Sequence, residues 1–136
     1  MGESKIHADL VKRIRNIVQN RKDVVSSLVI ADDHETVPVV PSTPEGFIPD
    51  VYYNDYNLVV LGEAKSSNDL SNPHSDAQFK SYLKYLNSMS KVASKVALYV
   101  GVPWENYPQA KNHFKKIKPD SVDIFIVTNS GQGEKI

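Results

Sequence analysis

Apolar residues recur at Ile6, Leu10, Ile14, Ile17 and Val18, and this three-and-four spacing predicts a helix from about Ser4 to Asn20 with one face turned to a core. Val24 to Ala31 is rich in β-branched residues and reads as a strand. Pro38, Pro41 and Pro44 fall between Asp32 and Gly46, so that stretch reads as mostly loop with room for a short edge strand. Two strands, Phe47 to Tyr53 and Leu58 to Lys65, are expected around the turn tetrapeptide Asn54-Asp55-Tyr56-Asn57. After a polar connector, Ser66 to Pro73, a helix from about Ser75 to Ser90 should bury Phe79, Tyr82, Leu83 and Leu86, capped by Ser75 or Asp76. Lys95 to Val102 reads as a buried strand, and Tyr107 to Ile117 as a more basic helix with Pro108 in its first turn. Val122 to Thr128 reads as the closing strand, and Gly131 to Ile136 as a frayed tail.

The resulting order, α-β-β-β-α-β-α-β, predicts an α/β fold with a mixed central sheet flanked by helices on both faces. The 136 residues are expected to form one domain. An apolar fraction of 40% and a charged fraction of 24% are ordinary for a chain that builds a core in water. With no cysteine, disulfides, thiolate metal sites and cysteine catalysis are excluded. No apolar run is long enough to span a bilayer, and the first residues do not resemble a signal peptide. The expectation is a cytoplasmic protein without a membrane partner.

A net charge of zero argues against a strongly basic nucleic-acid binder. The charge is nonetheless uneven. Residues 1–64 carry 6 Lys/Arg against 10 Asp/Glu, a net of −4, and residues 65–136 carry 10 against 6, a net of +4. The basic half is suited to phosphate contacts, although two solvated charged faces account for the same numbers.

The candidate chemistry lies in Ile48-Pro49-Asp50 and Glu63-Ala64-Lys65. A hairpin symmetric about Asp55 and Tyr56 sets Asp50 opposite Leu61, with Glu63 its diagonal neighbour about 7–8 Å away on the same face. Strand alternation places Glu63 and Lys65 on one face and points Ala64 away. Two carboxylates within reach of one cation, all-oxygen ligands and open positions suit Mg²⁺ or Mn²⁺. The competing reading makes Asp50 a turn cap and Glu63–Lys65 a surface ion pair.

Pro49-Asp50 followed by Glu63-Ala64-Lys65 resembles the PD-(D/E)xK nuclease superfamily. Gln78-Phe79-Lys80-Ser81-Tyr82 on the next helix is similar to the Gln-x-x-x-Tyr signature of its RecB-like branch, and Gln78 and Tyr82 lie one helical turn apart. The resemblance runs from the first helix to at least Val102. It implies a restriction-endonuclease-like core and a Mg- or Mn-dependent deoxyribonuclease. By the resemblance, Asp50, Glu63 and the Ala64 carbonyl would bind the metal, joined by Glu3 on the first helix or by His7 one turn on. Lys65 would position or activate the attacking water, Gln78 would orient Lys65 or contact substrate, and Tyr82 would touch a phosphate or pack below the site. DNA is the implied partner, with a homodimer or a larger nucleoprotein complex as the setting. The alternative is a non-catalytic module that uses this fold to bind nucleic acid or a protein.

Other residues divide between two roles. His34, His74 and His113 lack metal-ligand spacing and read as surface residues, with His74 near enough to the proposed centre for a substrate contact. Trp104 either stacks on a base or packs at an edge. Lys111, Lys115, Lys116 and Lys118, like Arg13, Arg15, Arg21 and Lys22, either follow a phosphate backbone or form a solvated face.

Overall fold

A computed structural model describes residues 4–31, 39–131 and 133–136. Helix α1, Lys5–Gln19, starts where Ser4 accepts a hydrogen bond from the His7 amide on its side-chain oxygen at 3.1 Å. It buries Leu10, Val11, Ile14 and Val18, whereas Ile6, read from the sequence as part of the apolar face, is about half exposed. The expected strand from Val24 to Ala31 is reduced to β1, Ile30–Ala31, because a short 3-10 turn occupies Ser26–Leu28. Two serines in that segment favour the turn over an extended ladder. Residues 39–46 contain no strand.

Strands β2, Val51–Asn54, and β3, Leu58–Ala64, form the expected antiparallel hairpin, but shifted in register. Tyr52, not Asp50, lies opposite Leu61, and Val51 opposite Gly62. The cause is the Asp55 side chain, whose Oδ1 accepts from the Asn57 and Leu58 amides at 2.9 and 2.8 Å. These bonds centre the turn on Tyr56 and Asn57, with Tyr56 in the left-handed region at φ 72°. Tyr53 braces the turn by donating to Asp55 Oδ2 at 2.6 Å.

Helix α2, Pro73–Met89, begins earlier than expected. Asn72, not Ser75 or Asp76, caps it by accepting from the Ser75 amide at 2.8 Å. A residue before proline is held extended, and proline suits the first helical position, so Asn72-Pro73 is itself the start signal. Strand β4, Lys95–Val102, and helix α3, Tyr107–Ile117, match their expected bounds, and β5 spans Asp123–Thr128. The expected frayed tail instead contributes β6, Glu134–Lys135, paired antiparallel with β5.

The six strands form one mixed sheet in the order β1-β2-β3-β4-β5-β6, with β3, β4 and β5 parallel to one another. Helix α1 packs on one face against Val51, Tyr53, Val60 and Ala97. Helices α2 and α3 cover the other, bringing Phe79, Tyr82, Leu86 and Phe114 onto Val59, Leu61, Leu98 and Ile124. All seven β3 residues are buried, so this strand lies between the two apolar layers.

Gly62 marks the close approach of α1 to β3. An added Cβ there would lie 2.7 Å from Ile14 Cγ2 and 3.0 Å from Val51 Cβ, both near the backbone. At Gly101 the nearest atom is Ile14 Cδ1, the movable end of that side chain, at 2.9 Å. Gly62→Ala should therefore lower unfolding free energy by about 1–3 kcal/mol, and Gly101→Ala by less. Urea denaturation of both variants checks the order; equal losses would contradict the packing argument.

Candidate active site

The parallel strands end at one edge of the sheet, and the chemistry-bearing residues gather there. Glu63 and Lys65 share the α2 face of β3, as alternation requires, because Val59 and Leu61 on the same face pack under α2. The Lys65 amide continues the parallel ladder by donating to the Gly101 carbonyl at 2.8 Å. Asp50 immediately precedes β2. Carrying the observed register one position further sets it opposite Glu63, closer than the diagonal placement expected from the sequence. Its Oδ2 accepts from the Ala64 amide at 2.9 Å, which ties the carboxylate across to β3.

From α2, Gln78 and Tyr82 both lean toward this edge. Gln78 Oε1 accepts a hydrogen bond from Lys65 Nζ, and the same ammonium lies 3.3 Å from Glu63 Oε2. The Tyr82 hydroxyl lies 2.9 Å from Glu63 Oε1 and 3.1 Å from the Ile48 carbonyl. It has one proton to give. With Glu63 ionised that proton belongs to the carboxylate; with Glu63 protonated it can turn to Ile48 while the hydroxyl accepts from Glu63. Burial, followed by the Glu63 carboxylate, pushes the Tyr82 hydroxyl far up.

Glu63 is 4% exposed. Its carboxyl is pushed up to about 8, first by burial and then by the neighbouring Asp50 charge, with Lys65 and the Tyr82 hydrogen bond opposing. From α1, His7 Nε2 lies 3.3 Å from Asp50 Oδ2. Glu3, the other first-helix candidate, falls outside the described residues, as does His34.

Asp50, Glu63, Lys65, Gln78 and Tyr82 are thus brought together, and His7 joins them. Ala64 contributes its amide to Asp50 and buries its side chain on the α1 face. His74 packs edge-on against Phe47 and His113 against Phe114. The contact between Tyr82 and Glu63 went unread in the sequence, although the four-residue spacing from Gln78 pointed toward it. Among the described residues, no group of three or more His, Asp or Glu side chains is arranged to hold a metal. The two carboxylates offer hard oxygen donors that suit Mg²⁺ or Mn²⁺. A divalent cation between them would also favour the ionised form of Glu63 that burial and Asp50 now disfavour.

Comparison with models of known families, with curated proteins and with solved structures finds no match for this chain.

The raised Glu63 value sets a pH dependence. Between the ordinary glutamate value of 4.5 and about 8, the folded chain holds a proton that the unfolded chain has lost. The contribution of Glu63 to stability is therefore fully present below 4.5 and falls as pH rises to about 8. Urea denaturation across this range should show the decline in wild type, a flatter profile in Glu63→Gln, and recovery of wild-type stability at high pH on adding Mg²⁺. Parallel profiles for the two proteins would contradict the assignment.

Proposed function

We propose that this chain is a metal-dependent nuclease that hydrolyses phosphodiester bonds in DNA, on a restriction-endonuclease-like core of the PD-(D/E)xK type and its RecB-like branch. The observation that carries the reading is the convergence of Asp50, Glu63, Lys65 and Gln78, from three separate parts of the chain, at the end of one parallel strand. A lysine ammonium held against a buried carboxylate, with a second carboxylate on the facing strand position, is an expensive arrangement for a surface ion pair, and a productive one for phosphate chemistry.

In this reading Asp50, Glu63 and the Ala64 carbonyl would hold Mg²⁺ or Mn²⁺. When bound, the cation supplies charge stabilisation in the transition state and a lowered water pKa. Lys65 is oriented by Gln78 and Glu63, which leaves one N–H to hold the attacking water, while its positive charge meets negative charge growing on the phosphate oxygens. Tyr82 fixes the Glu63 carboxylate from below, which makes it a positioning residue. Ala64 fixes Asp50 through its amide. Water attacks phosphorus, the bond to the leaving sugar oxygen breaks, and the proton lost by the water ultimately balances the one gained by that oxygen.

A Mg²⁺- and Mn²⁺-dependent cleavage assay on single-stranded, duplex and branched DNA tests the reading. Glu63→Ala should lose both divalent-cation binding and cleavage. Lys65→Ala should keep cation binding, measured by calorimetry, while turnover falls about 10²–10³-fold. Loss of cation binding in both variants would make Lys65 structural. DNA binding without cleavage by the wild type would assign the chain to a non-catalytic binding module.

A further inference from the structure

The chain has one tryptophan, Trp104, and it is 61% exposed. It follows β4 in a 3-10 turn, Trp104–Asn106, so it stands on the same sheet edge as Lys65. Its amide donates to Asn129 Oδ1 at 2.9 Å, which pins the turn to the segment after β5. Pro103 restricts the backbone before it, and Asn106 at the other end pairs with Ser67 in the loop that leaves Lys65, at 2.6 Å. The indole is thus exposed but set on a backbone anchored at both ends.

Beside it is a cavity of about 300 Å³ lined by Trp104, Tyr107, Ile126, Thr128, Ser130 and Glu134, among others. Ile126 belongs to the apolar layer under α2 and α3, so the cavity opens on the sheet face that carries Glu63 and Lys65. Its described lining residues include two aromatic rings, three hydroxyls and the Glu134 carboxylate, and the neighbouring Lys111 ammonium is paired with that carboxylate at 3.4 Å. That chemistry suits a neutral planar group with hydrogen-bonding edges and disfavours a phosphate. Two strand spacings, about 10 Å, separate β3 from β5. At a stacked rise of about 3.4 Å per nucleotide, this is a span of about three nucleotides.

We propose that Trp104 and the adjoining cavity form a nucleobase site that receives an unpaired base of the DNA strand, within a few nucleotides of the phosphate at Lys65. The site makes single-stranded or frayed DNA the preferred substrate, since a base within a duplex cannot offer its face to the indole. This inference rests on the nuclease reading for the nature of its ligand, but stacking has its own signal.

Because Trp104 is the sole tryptophan, indole emission reports on this site alone. Wild-type protein in Ca²⁺ is titrated with short single-stranded and duplex oligonucleotides, and Mn²⁺-dependent cleavage is measured on the same preparation. Single strands should quench the emission, and duplexes should not. Trp104→Ala should bind single strands about 5- to 100-fold more weakly, and Trp104→Phe should recover most of the loss. Cleavage without quenching, with Trp104→Ala as active on single strands as wild type, overturns the base site and leaves the nuclease standing. Quenching without cleavage does the reverse. Absence of both overturns both.

Discussion

A carboxylate in the central strand governs how this structure is put together. β3 is covered on both faces, so the side chain at position 63 has no route to bulk water except past the end of the sheet. Ionising it there incurs a desolvation cost that Lys65 and the Tyr82 hydroxyl offset in part and that Asp50 increases. The surrounding elements are arranged around that problem. α2 sits where Tyr82 can reach one Glu63 oxygen, and Gln78, one turn earlier, holds the lysine near the other. On the opposite face, glycine at position 62 lets α1 descend far enough for His7 to meet Asp50. Removing any one support leaves a buried charge less well compensated, which is costlier than losing a surface contact.

The periodicity of the chain exposed the architecture where burial is one-sided or complete over a long run. β4 and α3 could be read to the residue because an unbroken apolar strand and a proline-started amphipathic helix have few competing interpretations. The errors lie where local hydrogen bonds outweigh pattern. Part of the expected first strand instead gives way to a 3-10 turn over Ser26–Leu28, a backbone turn without a side-chain cap. Asp55 recentred the hairpin, and Asn72 took the cap from Ser75, which is buried instead. The tail pairs with β5 because an otherwise open sheet edge accepts even two residues of extended chain, a tertiary effect with no local signature.

For the site, alternation alone was enough to place Glu63 and Lys65 together, and helical spacing to align Gln78 with Tyr82. The hairpin register was not legible, because it depends on which residues the Asp55 carboxylate binds. The shift nevertheless brings Asp50 closer to Glu63 than a symmetric turn would, and strengthens the mutual perturbation of the carboxylates. Tyr82 shows how one side chain can satisfy both competing interpretations. Its ring is core, wholly buried beside Phe79, while its hydroxyl belongs to the site.

Part of the basic charge is engaged in local contacts. On α3, Lys111 pairs with Glu134 while Lys115 and Lys116 remain exposed, and Lys118, just past its end, donates to the Pro119 carbonyl. On α1 and beyond it, Arg13 is committed to the Asn129 and Gly131 carbonyls, and Arg21 to Asp23 and Tyr99. Of these, Arg21 and Lys111 face carboxylates, whereas Arg13 and Lys118 bond neutral carbonyls and keep their full charge. In the proposed reading, affinity for a nucleic acid would draw on oxygen ligands shared with a cation at Asp50 and Glu63 and on an aromatic face for a base. These features lie along the same edge of the sheet, where the parallel strands end. On such a surface a strand would be held at two points, its phosphate at the carboxylates and its base at the indole, with the intervening nucleotides bridging the end of β4.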